Sequence, residues 1–213
     1  LTALVNAMSP QEALNNVGSL KSRGVFDNPD LKALVLAKLK KAESAKGVSG
    51  LKAKVAKKVS KVEDVEIQEG LDKVADASVK KKASIKRPTG IIIDKSFSMK
   101  AAIEVGKNLA AIVSGATEAD LYVITTDLMA KEIKATGKTL TAWEKAFKPV
   151  KAAGSTSVGA GVDFLKRKKY YVEQIVLITD QGENNAPFIG DAISDYKKTF
   201  TLDELGVVVI KLP

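Results

Sequence analysis

The sequence predicts an α/β domain with a doubly wound, mainly parallel sheet and helices on both faces, preceded by a small α-helical segment. Three observations carry that prediction. From residue 87 onward, short apolar runs alternate with segments of helical period, as in "GIIID", "ADLYVITT", "EQIVLITD" and "LGVVVIKL". Before residue 89 no strand pattern occurs. Between the two parts, Pro88 and Gly90 in "IKRPTG" break any helix, which places a helical segment at 1–86 and an α/β domain at 87–213.

The helical segment is read from its start signals. Ser9, Pro10 and Glu12 form a cap, first-turn proline and capping-box acid, with Gly24 as the stop. Asn28 and Pro29 repeat the cap and start, followed by Leu31, Leu34, Val35 and Leu39 at helical spacing. Two further amphipathic runs place Leu51, Val55, Val59 and Val62 on one face, then Leu71, Val74, Ala75 and Val79. In the α/β part, "KAAIEVGKNLAAIVSGA" predicts a helix with Ile103, Leu109, Ile112 and Val113 as its apolar side. "AKEIKA" reads as a short edge strand, and "TLTAWEKAFKPV" as a helix capped by Thr139 or Thr141. Trp143 and Phe147, four apart on that helix, suit core packing.

Composition narrows the chemistry. The 213 residues are 45% hydrophobic, enough for a sizeable core, and contain no cysteine and no histidine. Disulfides, thiolate catalysis and cysteine-based zinc sites are therefore excluded, along with the usual base near neutral pH. Any metal must be held by oxygen, which selects Mg²⁺, Mn²⁺ or Ca²⁺. No apolar run approaches the roughly 18–20 residues of a membrane span, so no membrane partner is expected. "LTALVNAMSP" lacks the basic and apolar regions of a secretory leader, and a cytoplasmic location is expected. Of the net charge of +9, residues 1–87 hold 18 Lys/Arg against 10 Asp/Glu, and the remainder is nearly balanced. Basicity thus belongs to the helical segment.

In open α/β sheets ligands bind beyond the carboxyl ends of the strands. Three polar clusters fall there: Asp94, Ser96 and Ser98 after the first strand, Ser155, Thr156 and Ser157 in "AAGSTSVGAG", and Asp180 at the end of "IVLITD". Hydroxyls and carboxylates of this kind suit a hard divalent cation, whereas two carboxylates alone would repel. Two other readings exist. Asp94 and the serines are residues that cap helices. Asp94 could also serve as an aspartyl-phosphate nucleophile, but Ser96 stands where a second acid is wanted. Phe97, inside the first cluster, is either an exposed partner contact or a core residue beneath the loop, burial being the commoner state of aromatics.

"IIIDKSFSM" resembles the D-x-S-x-S signature of the von Willebrand factor A domain, with its metal-ion-dependent adhesion site. Gly154-Ser155-Thr156 matches the family's Gly-x-Thr loop, and "LITDQGEN" its strand-end aspartate, in the family's order. The resemblance implies direct metal binding by Ser96, Ser98 and Thr156, with Asp94 and Asp180 acting mostly through water. It also implies a remaining coordination position filled by a carboxylate of a protein partner, and a non-enzymatic, metal-dependent binding role with Mg²⁺, Mn²⁺ or Ca²⁺. Gln181 stands where the family often has glycine, with Gly182 beside it.

The helices followed by "KKKASIKRPTG" and "DKSFSM" are similar to the end of the Ro (TROVE) ribonucleoprotein family, in which a helical ring preceding the A domain binds small RNAs. The helical segment here is too short for such a ring. An alternative role is therefore small-RNA binding by the basic helices, through Lys52, Lys54, Lys57 and Lys58. No aromatic residue lies in 38–61 to stack on bases, and lysines commonly line the solvated face of a helix.

Overall fold

Ser9 and Asn28 each start a helix in the computed structural model, which describes residues 1–45, 48, 50–80 and 84–212; the side chains of 50, 51, 54, 58, 79 and 80 fall outside that description. The chain divides into two compact units, residues 1–83 and 84–213.

The first unit contains α1 (Thr2–Ala7), α2 (Pro10–Asn15), α3 (Val17–Ser22), a 3₁₀ turn at Val25–Asp27, α4 (Pro29–Ser44), α5 (Gly50–Ser60) and α6 (Val65–Lys80). At α2, the Ser9 hydroxyl accepts from the Glu12 N–H while the Glu12 carboxylate accepts from the Ser9 N–H, completing the capping box. Asn28 accepts from the N–H groups of Asp30 and Leu31 at the start of α4. Asn16 separates α2 from α3 where the sequence suggests one helix, and Gly24 ends that region at φ +69°. Val35, Leu39, Ile67, Leu71 and Val74 are buried where α4 meets α6. The stripe expected on α5 is only partly inward. Val62, just past the helix, is buried, but Val55 and Val59 are exposed, and among the described side chains of α5 the buried one is Ala53, small enough for close helix approach. Leu51 and Val79 of the expected stripes are among the side chains outside the description.

The second unit contains β1 (Thr89–Asp94), α7 (Lys100–Ala116), β2 (Leu121–Thr126), β3 (Ala130–Glu132), α8 (Leu140–Phe147), α9 (Gly159–Arg167), β4 (Gln174–Thr179), α10 (Ile189–Phe200) and β5 (Gly206–Lys211). The sheet order is β3-β2-β1-β4-β5, parallel except for β3, the short edge strand the sequence suggests. Every residue of β1 is buried, as expected of a central strand covered on both faces. Its β-branched residues alternate between layers. Ile93 meets α7 where a Cβ on Gly106 would lie 2.4 Å from its Cδ1, and Ile92 meets α9 where one on Gly161 would lie 2.5 Å from its Cγ2. Two glycines thus let helices approach opposite faces of one strand, and the doubly wound arrangement follows.

Ile92, Val162, Leu165, Ile175, Leu177 and Tyr196 form the core on the α9 side. Burial pushes the Tyr196 phenol up to about 12; its oxygen accepts from the Val172 N–H and donates to the Tyr170 carbonyl, 2.7 Å each. Trp143 and Phe147 are buried, as their spacing suggests, and Thr139 caps α8 by accepting from the Ala142 N–H. Ile112 of α7 is exposed rather than inward, because Ala102, Ile103, Gly106, Ala110 and Val113 form the buried side. The valines of β5 are exposed too, so the coverage expected on both faces of the sheet does not reach this edge.

Candidate metal centre

β1 lies between β2 and β4, so the loops following these strands open at the same carboxyl edge, where the strand order reverses. The five residues singled out in the sequence all arrive there on three loops.

Asp94 ends β1 and is fully buried. Its Oδ1 accepts from the Ser96 N–H at 2.8 Å, and its Oδ2 from the Thr179 hydroxyl at 3.0 Å. The chain then turns rather than staying extended, since the Met99 N–H donates to the Ser96 carbonyl at 2.9 Å. Ser96 and Ser98 consequently differ in environment. Ser96 is 3% exposed, and its Oγ is buried without a hydrogen-bond partner among the described residues. Ser98 is exposed and donates to Asp180 Oδ2 at 3.3 Å, linking the loop after β1 to the loop after β4.

Asp180 is held by the Gly182 N–H, which donates to its Oδ1 at 2.9 Å. Gln181 between them has φ +71°, a backbone conformation glycine adopts without strain, which accounts for the glycine that the resemblance leads one to expect there. Thr156 is buried, and its carbonyl accepts from the N–H groups of Asn184 and Asn185, both at 3.1 Å. Among the described residues no side-chain hydrogen bond joins Thr156 to the other four; its neighbours hold the loop at this edge, the Thr126 hydroxyl donating to the Ser157 carbonyl at 2.8 Å and the Asn185 amide to the Ser155 hydroxyl at 2.6 Å.

The helix-cap reading of the cluster does not hold. The residue preceding α7 is Met99, and no side chain caps that helix. The oxygen set does fit a hard cation, and the buried Ser96 hydroxyl is the feature that asks for one. Among the described residues no three Asp, Glu, His or Cys side chains form a metal cage, so hydroxyls and water would supply much of any coordination shell.

Three further groups hold this edge together, of which Thr179 and Glu183 were not singled out from the sequence. Thr179 donates to Asp94 and accepts from the Gln181 N–H; the threonine of "LITD" was its only signal. Glu183 accepts from the Gly159 N–H at 2.9 Å and the Ile189 N–H at 2.8 Å, the first residues of α9 and α10. Nothing in the local sequence reveals that double role. Lys95, between Asp94 and Ser96, forms an ion pair with Asp127 after β2. Burial pushes the Asp127 carboxyl up, but the Lys95 ammonium and the Met129 N–H outweigh it and hold the group below the usual aspartate range.

Phe97, placed by aromatic statistics beneath the loop, is instead 83% exposed. The turn that buries Ser96 carries the next side chain outward. In the first unit, Lys52 is exposed, whereas Lys57 is no free cation: both oxygens of Asp72 bind it, at 2.9 and 2.7 Å. Lys54 and Lys58 lie outside the described side chains. Among the described residues no helix is long and apolar enough to cross a membrane.

No family model and no curated protein matches the chain. Solved structures do. The Ro (RSR) protein of Deinococcus radiodurans aligns with a TM-score of 0.64 at 15% identity, over 92% of this chain and 44% of its own. A von Willebrand factor type A protein from Catenulispora acidiphila aligns with a TM-score of 0.42 at 18% identity, over 62% of this chain and 39% of its own. The proximal thread matrix protein 1 of mussel byssus, with a zinc-occupied MIDAS motif, gives 0.47 at 14% identity, over 61% and 38%. At a TM-score of 0.64 and 15% identity, the Ro alignment shows the fold alone: helices preceding an α/β sheet, as in that protein. The chain spans less than half the length of that Ro protein.

Proposed function

We propose that the second unit is a non-enzymatic binding module that holds a divalent cation and engages an acidic group of a protein partner. The observation that carries this reading is the Ser96 hydroxyl, buried without a partner beside the fully buried Asp94. A buried hydroxyl left unpaired is unfavourable by about 1–3 kcal/mol, so its retention beside Asp94 supports a ligand there. Ser96, Ser98 and Thr156 would hold the ion directly, while Asp94 and Asp180 would act through bound water. The all-oxygen, hydroxyl-rich set favours Mg²⁺, with Mn²⁺ and Ca²⁺ in the same hard class. When bound, the cation supplies a Lewis-acidic position that accepts a carboxylate.

The chain's own groups do the positioning. Thr179 orients Asp94, Gly182 orients Asp180, and the Lys95–Asp127 pair fixes the loop after β1 against the loop after β2. Two carboxylates balance the charge of a divalent ion, leaving a neutral site that an incoming anion can join without net repulsion. The test is Mg²⁺-dependent thermal stabilisation. Asp94→Ala is expected to abolish it, and an unchanged melting shift in that variant would sink the metal reading.

A further inference from the structure

The carboxyl edge of the sheet also carries large apolar side chains that are exposed. Phe97 is 83% exposed, Met129 78%, Leu128 52% and Phe188 46%. They come from three loops, those after β1, β2 and β4, which also carry Asp94, Asp127 and Asp180. Four large exposed apolar residues scattered over a surface would need no explanation; gathered at one edge they do.

Backbone contacts show that they are gathered. The segment 153–159 is the hub. The Phe97 N–H donates to the Gly154 carbonyl at 3.2 Å, and the Ser157 N–H to the Asp127 carbonyl at 2.8 Å. Asp127 in turn accepts from the Met129 N–H at 2.8 Å, which sets Leu128 and Met129 at the tip of their turn. On the other side, the Ser157 hydroxyl donates to the Pro187 carbonyl, and a Cβ on Gly159 would lie 2.7 Å from the Phe188 carbonyl. Phe97, Leu128, Met129 and Phe188 therefore flank the loop that carries Thr156. Lys95 is already paired with Asp127, whereas Lys100, Lys131 and Lys151, which adjoin these loops, are exposed.

We infer that this apolar rim selects the partner: a segment presenting one carboxylate with large apolar side chains on either side of it, rather than a carboxylate without them. The inference rests on the metal reading above. With the divalent ion balanced by Asp94 and Asp180, the centre accepts a single carboxylate, and the surrounding loops offer apolar contact to the side chains flanking it. A central polar anchor ringed by apolar contacts that exclude water is the arrangement in which such surfaces bind most effectively.

The probes are three capped pentapeptides, Gly-Leu-Asp-Leu-Gly, Gly-Gly-Asp-Gly-Gly and Gly-Leu-Asn-Leu-Gly, titrated against the whole chain with Mg²⁺ and with EDTA. Calorimetry of Mg²⁺ alone runs in parallel. The leucine-flanked aspartate is expected to bind at least about tenfold more tightly than the glycine-flanked one, with that binding lost in EDTA and in the asparagine peptide. Phe97→Ser combined with Met129→Ser should erase the preference and leave Mg²⁺ affinity within about twofold, since both side chains are exposed and outside the metal ligands. Equal affinity for the two aspartate peptides, no peptide binding by the Mg²⁺-loaded protein, or a preference surviving in the double variant would overturn the rim alone. Absence of Mg²⁺ binding by the unsubstituted chain would overturn the metal reading and this inference with it.

Discussion

Ser96→Ala separates the proposed metal centre from a merely structural loop, because the two cases predict opposite effects with and without cation. In EDTA, the Ser96 hydroxyl is a buried polar group with no partner among the described residues. Such a group destabilises by about 1–3 kcal/mol, and an apolar replacement of similar shape is neutral or stabilising. Alanine removes the oxygen and leaves only a small void, so the metal-free variant should match the parent or exceed it by about 1 kcal/mol. With Mg²⁺ at about a hundred times its Kd, the parent gains about 2.7 kcal/mol, a rise in Tm of roughly 8 °C for a unit of this size. Loss of a direct ligand that weakens Mg²⁺ at least tenfold would remove about half of that gain or more. Paired thermal melts in EDTA and in Mg²⁺ read both numbers. A variant destabilised by more than about 1 kcal/mol in EDTA that still shows the full Mg²⁺ shift would refute the reasoning, placing Ser96 in the packing and not in the metal shell.

Other perturbations test the supports of the site. Glu183→Ala removes the carboxylate that accepts from the first N–H of both α9 and α10, and should destabilise by about 1–3 kcal/mol in urea unfolding. Gln181→Gly relieves a left-handed backbone at φ +71° and should raise stability by up to about 1 kcal/mol, seen as a higher urea midpoint at unchanged slope. Tyr196 gives a pH signature. Its phenol is raised to about 12 in the fold against an ordinary value of about 10, so its contribution is intact below pH 10 and lost as pH climbs towards 12. Tyr196→Phe should therefore lose less stability than the parent between those pH values, and parallel urea curves for the two would contradict the assignment.

Much of this molecule is legible locally. The capping box at Ser9 and Glu12, the Asn28 and Thr139 caps and the apolar strands need only their immediate neighbours, and each stands where its residues suggest. The polar clusters at Asp94–Ser98, Ser155–Ser157 and Asp180 can be placed in advance because strand ends in an α/β sheet share one edge, while the choice of Thr156 within its cluster is what the family resemblance implies. Burial is different, since it depends on what arrives from elsewhere in the chain. Val55 and Val59 form a regular stripe yet face outward, because Ala53 supplies the surface that other helices can approach. Leu109 and Ile112 yield in the same way to the small face around Gly106, which Ile93 requires.

The division is sharpest at the site. Hydrophobic period and cap chemistry act over a few residues, so the order of elements and the oxygen types at the sheet edge are written in the chain itself. Which oxygen is left without a partner and which side chain faces solvent are set by contacts between residues up to 85 apart, such as Thr179 with Asp94. A single turn, closed by the Met99 N–H on the Ser96 carbonyl, buries Ser96 and exposes Phe97. Glu183 joins two helices, and Lys95 meets Asp127, only after β2, β1 and β4 lie side by side. Long-range packing chooses among conformations that are locally equivalent, and it therefore decides both the buried hydroxyl and the exposed apolar side chains on the neighbouring loops.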